Sequence, residues 1–281
     1  MKFIITGSGG CIAIPKPLCQ CEVCVEARVN GYPYARCGCS LYSEDISLLI
    51  DTPEDISIAL NNAGIKSVDA IAYSHWDPDH TAGMRVMEQL RLDWLDYHDG
   101  LTPENPIVIY ANGNVMRDIN GIGSRLGSYL DYYASLHLIT RQETDVIASD
   151  TIKITLLPVP IEKAVSVFVF ESNGKKLVYA PCDCKPFPNE ELIYGADILI
   201  IGNTIVGNTL RNGRAIANDH PLKLELYAME DVLEMKKKYA FDRVIITHLE
   251  ETWGKSYGDY INLEKEYDNV NFAHDGMIIT L

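Results

Sequence analysis

The sequence predicts a single mixed α/β domain that spans residues 1–281. Apolar, β-branched runs of strand length recur along the chain, and stretches with helix-start signals separate many of them. No linker composition, internal repeat or low-complexity tract interrupts this alternation. With 281 residues, of which 47 % are hydrophobic, the chain is long and apolar enough to bury one sizeable core.

Ten apolar runs are the strand candidates, and they are rich in the β-branched and aromatic residues that favour strands. They cover residues 3–6, 46–51, 70–74, 107–110, 152–157, 165–171, 177–180, 198–202, 244–247 and 277–281. The three runs between residues 152 and 180 follow one another without a helix, whereas most of the others alternate with helices. This mixture of connections predicts mixed sheets rather than a purely parallel one.

Four helices are predicted between these runs. The first begins at Thr52-Pro53, where a hydroxyl cap precedes a proline of the first turn, and it should end by Gly64. The other three cover about residues 82–92, 115–133 and 221–239. In the last of them, three consecutive lysines lie near the negative end of the helix dipole.

Residues that could bind a metal or take part in catalysis repeatedly follow the ends of the predicted strands. Asp51, the segment 75–80, Asp183 and His248 each come directly after an apolar run. In α/β folds the loops that follow such strands converge on one rim. We therefore expect these residues to form one active site.

The segment His75-Trp-Asp77-Pro-Asp79-His80 contains four potential metal ligands within six residues. Imidazole and carboxylate groups at this density, in the loop after a strand, are typical of a divalent metal site. Asp79 or Thr81 could instead cap the following helix. Capping needs one such side chain, however, and leaves the other three ligands unexplained.

The overall charge restricts the classes of binding partner that the chain favours. The chain has 39 acidic and 24 basic residues, a formal charge of −15, which disfavours nucleic acids and anionic membranes as partners. A small-molecule substrate is expected, and an anionic one remains open because bound cations reverse the local field. No apolar stretch approaches the roughly 18 residues of a membrane span, and the start does not read as a secretory signal, so we expect a cytoplasmic protein.

The order of these motifs resembles the metallo-β-lactamase superfamily of metal-dependent hydrolases over nearly the whole chain. The superfamily pattern is His-x-His-x-Asp-His after a strand, then a lone His, an Asp after a later strand, and a last His. The resemblance implies an αββα sandwich of two mixed sheets with outer helices and the metal site at one edge. It also implies two sets of ligands. Asp79, His80 and His248 would hold one ion, and Asp183 would bridge to a second ion held by His75 and Asp77.

This chain departs from the pattern in two places. Asp77 replaces the second His, and its harder oxygen donor shifts the preference from zinc toward manganese or iron. The lone middle His is missing, since its place falls within residues 157–161, and Glu162 is a candidate substitute. The active site would then hold one or two ions of Mn, Zn or Fe. Asp77 or Asp183 would orient or deprotonate the attacking water.

Eight cysteines form a second constellation. Six of them fall between residues 11 and 39, a clustering that indicates metal ligands or small core residues rather than a disulfide framework. Cys19, Cys21 and Cys24 have the spacing of a structural zinc loop, for which we expect His220 as the fourth ligand. Cys37 and Cys39 are alternatives for that fourth place.

The cysteine loop narrows the resemblance to one branch of the superfamily. It is similar to the phosphoribosyl cyclic phosphodiesterase of phosphonate breakdown and the pyrroloquinoline quinone biosynthesis protein. Both share a Gly-rich strand exit, here residues 7–10, and a terminal Asp-Gly-Met, here Asp275 to Met277. We expect residues 7–10 to form a tight loop near the metals. Cys182 and Cys184 flank Asp183, and strand alternation predicts that both point away from it and serve packing.

These observations predict a metal-dependent hydrolase, a phosphodiesterase acting on a small cyclic or nucleotide-like phosphate. The related phosphodiesterases have a further His after the strand equivalent to residues 198–202, where this chain has Asn203. Tyr or Lys residues between positions 93 and 133 are therefore expected to supply the leaving-group acid. The alternative function is a non-hydrolytic biosynthetic accessory or ligand-binding protein on the same scaffold, and a nuclease is the least favoured. Homodimerisation is left open.

Overall fold

A computed structural model describes residues 1–207 and 209–281 of the chain. The strands are β1 Lys2–Gly7, β2 Ser40–Ser43, β3 Leu48–Ile50, β4 Ala70–Ala72, β5 Ile107–Ala111, β6 Gly123–Ser124, β7 Gly127–Ser128, β8 Ile139–Glu143, β9 Val146–Ala148, β10 Lys153–Pro158, β11 Ser166–Ser172, β12 Lys175–Ala180, β13 Ile198–Ile201, β14 Thr204–Ile205, β15 Tyr227–Ala228, β16 Arg243–Ile246, β17 Val270–Phe272 and β18 Ile278–Thr280. The α-helices are α1 Glu22–Asn30, α2 Ile56–Asn62, α3 Pro78–Thr81, α4 Val86–Arg91, α5 Trp94–His98, α6 Gly113–Ile119, α7 Tyr129–Ser135, α8 Leu222–Glu225, α9 Met229–Tyr239 and α10 Tyr257–Leu263.

Two seven-stranded mixed sheets form the centre of the fold. The first has the order β18-β1-β2-β3-β4-β5-β8, and it is antiparallel up to β3 and parallel beyond it. The second has the order β17-β16-β13-β12-β11-β10-β9, and it is parallel up to β12 and antiparallel beyond it. The predicted α/β class with two mixed sheets is confirmed. The predicted run of consecutive strands is the antiparallel unit of β10, β11 and β12.

The sheets pack face to face, and helices cover both outer faces. Phe3 of β1 meets Phe170 of β11 between the sheets, with ring centroids 4.9 Å apart in an edge-to-face arrangement. Val169, the neighbour of Phe170, points to the opposite face and packs with α9 and α10. Helices α2, α4, α6 and α7 cover the other sheet. Successive residues of one strand therefore serve two different cores.

Two of the predicted helices are broken. The helix predicted for 115–133 is wrong, because a hairpin of β6 and β7 separates α6 from α7. Gly127, with φ of 132°, adopts a backbone conformation of that hairpin that other residues avoid. The helix predicted for 221–239 is interrupted as well, since Tyr227 pairs with Thr204 and thus separates α8 from α9. The short strands β2, β8, β9 and β17 were not predicted.

Sharp turns follow the strands that lead into the predicted site. Asp51, Asp183, Asn203 and His248 all have positive φ, between 47° and 64°. Backbone in this region is strained for residues other than glycine, and such strain is characteristic of functional sites. These turns let each side chain leave its strand abruptly at the same edge of the sandwich. In the described part of the chain, no helix combines the length and apolarity that crossing a membrane requires.

Candidate metal centre

Two buried imidazoles point unpaired nitrogens at one place. The Nδ1 atom of His80 is 2.8 Å from Oδ2 of Asp51, and the Nδ1 atom of His75 is 2.9 Å from Oγ of Ser74. The Ser74 hydroxyl donates to Oδ2 of Asp51 at 2.6 Å, so it accepts from His75. Each Nδ1 atom therefore carries the proton and each Nε2 atom carries a lone pair. Both Nε2 atoms are buried without a hydrogen-bond partner, which indicates a missing ligand.

Asp51 organises these two histidines. Its carboxylate is fully buried and also accepts a hydrogen bond from the Ser74 backbone N–H at 2.8 Å. Although burial opposes it, the Asp51 carboxylate raises the pKa of His80 above its ordinary value. Burial and the neighbouring His80 lower the pKa of His75. The sequence placed Asp51 at a strand end but gave no sign that it would support two imidazoles.

Asp79, His80 and His248 form the first donor group. Their ligand atoms lie within 4.8 Å of one another, and Oδ2 of Asp79 is 3.4 Å from Nε2 of both histidines. Two ligands bound to one tetrahedral ion at ~2.1 Å are about 3.4 Å apart. Burial opposes the shift, but the two histidines hold the pKa of Asp79 well below its usual range. The ionised carboxylate of Asp79 and the Nε2 atoms of the two histidines fit a divalent cation.

His75, Asp77 and Asp183 form the second donor group. Nε2 of His75 is 3.5 Å from Oδ2 of Asp77, so these donors also have the spacing of ligands around an ion. A cationic side chain already reaches them: Lys163 donates to Oδ2 of Asp183 at 2.5 Å and to Oδ2 of Asp77. Burial acts in the opposite direction, but His75 and Lys163 lower the pKa of Asp77 to about 2.

Lys163 lies in the loop where the superfamily pattern has its middle His. Glu162, the substitute considered from the sequence, is exposed and belongs to none of the donor groups in the described chain. A lysine in this loop does not stand out in the sequence as a candidate ligand, because an ammonium cannot bind a metal. The signals for a cation in this loop were the carboxylates of Asp77 and Asp183 and the absence of the middle His of the superfamily pattern.

Cys182 corrects a further expectation. Its thiol lies in a group with the ring nitrogens of His75 and His80, so the prediction that it points away and only packs is wrong. Strand alternation does not apply there, because β12 ends at Ala180 and Asp183 turns the chain with φ of 47°. Cys184 is fully buried in the core, as expected of a packing residue.

Cys19, Cys21 and Cys24 lie together at the start of α1, with their sulfurs within 4.8 Å of one another. The Cys21 thiol caps the helix by accepting from the Cys24 backbone N–H at 3.5 Å. The backbone N–H of Lys16 and the guanidinium of Arg211 donate to two of these sulfurs at 3.3 and 3.4 Å. Hydrogen bonds from its neighbours lower the pKa of Cys19, chiefly from the Cys21 backbone. Three thiols held this way could take a structural zinc ion.

The structure does not bring His220 to this cluster. Its ring is absent from the cysteine group among the described residues, and its Nδ1 accepts from the Leu222 backbone N–H at 3.2 Å. The local turn before α8 thus uses one of the two ring nitrogens of His220. Cys37 and Cys39 do not join either, since their sulfurs contact Tyr32 and Tyr179. Within the described residues, this group contains only the three thiols and no fourth His, Cys, Asp or Glu ligand atom.

A cleft of about 390 Å³ opens above the first two donor groups. Its walls carry the carboxylates of Asp77, Asp79, Asp183, Glu225, Glu250 and Glu251. Lys16 is the basic residue on the described lining. No residue between positions 93 and 133 belongs to that lining, so the leaving-group acid predicted from this segment is not found there.

Asn203 fixes the cleft wall at the position where related enzymes have a His. Its Oδ1 accepts from the Asp183 backbone N–H at 3.0 Å, and its Nδ2 donates to the Glu225 carbonyl at 2.5 Å. The side chain is buried at the cleft lining, and both of its polar atoms hold other cleft residues.

The Gly-rich loop of residues 7–10 lies against the segment that follows His248. Gly10 donates its N–H to the Leu249 carbonyl at 3.1 Å. Asp275 of the terminal motif holds the loop, since its carboxylate accepts from the Ser8 backbone and hydroxyl at 2.9 and 2.7 Å and from the Cys37 backbone at 2.7 Å. Burial raises the pKa of Asp275 to about 6. The loop is therefore a tight structural turn beside the site.

Comparisons with known proteins agree with this architecture. A sequence model of the beta-lactamase superfamily domain matches residues 47–249. A new diphosphatase from the PhnP family has a similar structure, with a TM-score of 0.72, 19 % identity, and coverage of 100 % of this chain and 97 % of that one. Zn²⁺-bound PqqB from Methylobacterium extorquens has a TM-score of 0.71, 20 % identity and complete coverage of both chains.

Human tRNase Z, short form, is more distant, with a TM-score of 0.63, 16 % identity, and coverage of 100 % of this chain and 99 % of that one. At these identities the likeness concerns the fold. No curated protein matches the sequence.

Proposed function

Because this chain belongs to the metallo-β-lactamase superfamily, we propose that it is a metal-dependent phosphodiesterase acting on a small cyclic or nucleotide-like phosphate. The observation that carries the proposal is the buried, unpartnered Nε2 atom of His80, which lies with Asp79 and His248 and has the unpartnered Nε2 atom of His75 nearby. Leaving a buried polar atom unpaired costs about 1–3 kcal/mol, and a bound cation would remove that cost. The carboxylates beside these nitrogens match a divalent ion in charge.

Asp79, His80 and His248 would hold the ion, and Asp183 belongs to the neighbouring donor group with His75 and Asp77. A bound divalent cation supplies an activated water near neutral pH and polarises the phosphate. Mixed imidazole and carboxylate donors suit Mn, Zn or Fe. The structural zinc ion would occupy the cluster of Cys19, Cys21 and Cys24, and His220 stays a prediction as its fourth ligand.

Asp77 and Asp183 would orient the attacking water and accept its proton. Both carboxylates line the cleft, and in each of them Lys163 holds the Oδ2 atom, which leaves Oδ1 for the water. A carboxylate fixed by one oxygen cannot rotate freely, so its second oxygen keeps a defined direction.

The size and charge of the cleft support a small anionic substrate. A volume of about 390 Å³ lies within the usual range for small-molecule pockets. Its acidic walls would repel a free anion, so a phosphate would enter only toward cations. A metal ion on Asp79 and His248 would supply such a charge, and Lys163 supplies another behind the lining carboxylates of Asp77 and Asp183. The description of the PhnP-family structure as a diphosphatase supports phosphate chemistry. Long nucleic acids are disfavoured by the charge of −15, although tRNase Z shares the fold.

A substrate screen tests the proposal. The protein loaded with Mn²⁺ or Zn²⁺ is assayed on cyclic phosphates, nucleotide diesters, lactones and thioesters, and metal-stimulated turnover is expected on the phosphate diesters. His248→Ala should lose at least ~10²-fold in kcat/KM, because removing a ligand exceeds the effect of removing an outer partner. His98→Ala, at an exposed histidine outside the site, is the matched control.

Absence of metal-stimulated turnover on every ester, with metal still bound, would contradict the hydrolase. It would favour the non-hydrolytic accessory or ligand-binding protein instead. Turnover confined to lactones or thioesters would contradict the phosphodiesterase and keep the hydrolase.

A further inference from the structure

Lys163 lies inside the donor group that a second ion would need. Its Nζ donates to Oδ2 of Asp183 at 2.5 Å and to Oδ2 of Asp77. The latter oxygen is 3.5 Å from the unpartnered Nε2 of His75. The ammonium thus bonds one oxygen from each carboxylate of the group formed by His75, Asp77 and Asp183.

The same loop supplies the lysine and lacks the ligand. The middle His of the superfamily pattern would fall within residues 157–161, and Lys163 follows in the connection between β10 and β11. This group therefore has three donors and an ammonium in contact with two of them. An ammonium has three donor hydrogens and cannot itself ligate a cation. Two cations sharing the same carboxylate oxygens would repel each other at close range.

The first donor group has no such competitor. Asp79, His80 and His248 surround Oδ2 of Asp79 at 3.4 Å from each imidazole, and no lysine or arginine of the described chain forms an ion pair with Asp79. The two halves of the centre therefore differ in kind. One offers donors for a metal, whereas the carboxylates of the other are already paired with a cationic residue of the protein.

We propose that Lys163 is a built-in cation that replaces the second metal ion, so that the active site binds one divalent ion. The ion would occupy the group of Asp79, His80 and His248. The ammonium would keep Asp77 and Asp183 charged and in place, and it would present its remaining N–H to an anionic oxygen of the substrate. The inference rests on the proposed metal site but not on the identity of the substrate.

Manganese binding tests the stoichiometry. One equivalent of zinc per chain is added first to fill the cysteine cluster, because thiolates bind zinc most tightly, and the protein is then titrated with Mn²⁺, which suits carboxylate and imidazole donors. The wild type should bind one Mn²⁺ per chain, with the electron paramagnetic resonance spectrum of an isolated ion. Lys163→Met keeps the length of the side chain without its charge, and Lys163→His restores the missing ligand. Both variants should bind a second Mn²⁺, and their spectra should show coupling between the two ions.

Glu162→Gln is the matched control, because it removes a charge from the neighbouring, exposed position of the same loop. It should bind one Mn²⁺, as the wild type does. Two Mn²⁺ ions with mutual coupling in the wild type would overturn the inference, and this result does not depend on any variant folding. A single ion in the wild type and in both lysine variants would also overturn it, since Lys163 would then not be the cause.

The outcome is separable from that of the proposed function. Two ions in a wild type that hydrolyses phosphate diesters would remove the role of Lys163 and leave the phosphodiesterase intact. One ion in a wild type without turnover would leave the stoichiometry intact and remove the phosphodiesterase.

Discussion

Replacing Asp51 by Asn should weaken metal binding without touching a ligand. Oδ2 of Asp51 accepts from both His80 and Ser74, and Oδ1 accepts from the Ser74 backbone. In the Asp51→Asn variant, the NH₂ group must take the place of either Oδ2, which faces His80 and the Ser74 hydroxyl, or Oδ1, which faces the Ser74 backbone N–H. Facing His80, the NH₂ group would require an unprotonated Nδ1, which moves the ring proton to Nε2. A protonated Nε2 cannot bind a metal.

The other orientation of the amide destabilises the folded protein even without a metal. The NH₂ group would then face the Ser74 backbone N–H and leave two buried donors opposed, at a cost of about 1–3 kcal/mol. Loss of one outer partner of a ligating histidine typically weakens metal binding 10–100-fold. Because Asp51 supports His80 directly and His75 through Ser74, we expect the upper end, about 100-fold or ~2.7 kcal/mol.

The assay is calorimetric titration of Mn²⁺ into zinc-loaded wild type and Asp51→Asn. The matched control is Asp197→Asn, because Asp197 also accepts from a backbone N–H near a strand end, that of Lys176 at 2.8 Å, but takes no part in the site. The control should bind Mn²⁺ as the wild type does. Equal Mn²⁺ affinity for Asp51→Asn and wild type would refute the tautomer argument.

Three further predictions concern the scaffold. Burial raises the pKa of Asp275 to about 6, so between about pH 4 and 6 the unfolded state holds fewer protons than the folded state, and stability should fall as pH rises. In urea denaturation, the free energy of unfolding of the wild type should fall by at most about 3 kcal/mol over this window relative to that of Asp275→Asn. If the free energies of the two proteins instead change in parallel with pH, the raised pKa of Asp275 is contradicted. Cys24→Ser should abolish tight zinc binding and lower Tm, whereas the exposed Cys11→Ser keeps the zinc, and metal analysis showing full zinc in Cys24→Ser would refute the cluster. Gly202→Ala places a Cβ 1.7 Å from the Pro181 carbonyl and should cost about 3 kcal/mol or more in unfolding free energy, whereas Gly258→Ala has only a 3.8 Å contact and should cost little; equal stabilities would contradict the close packing.

The architecture could be predicted from the sequence because each strand is indicated by its own local residues. The runs that became β4, β11 and β13 are continuous apolar segments, and the mixture of helical and direct connections between such runs predicts mixed sheets. The broken helices were not predictable in the same way. The interruption before α9 depends on pairing of Tyr227 with Thr204, a contact between distant parts of the chain. Short strands such as β17 gain their stability from neighbours and leave little trace in composition.

The site was partly predictable for a related reason. Asp79, His80 and His248 could be found from residue type and from their place after strands, and the structure brings them together. Lys163 and Cys182 were missed because their roles depend on where a loop turns. Asp51 was found as a strand-end residue, but its support of His80 requires the distance between two side chains 29 positions apart. Such partners become visible only when the chain is folded.

The most direct measurement is anomalous X-ray diffraction from crystals of the zinc-filled protein soaked in Mn²⁺, recorded at the manganese edge. We expect one manganese peak within bonding distance, ~2.0–2.3 Å, of Asp79, His80 and His248. Absence of a manganese peak among these three side chains would contradict this expectation, because the unpartnered Nε2 atom of His80 would then have no cation to bind.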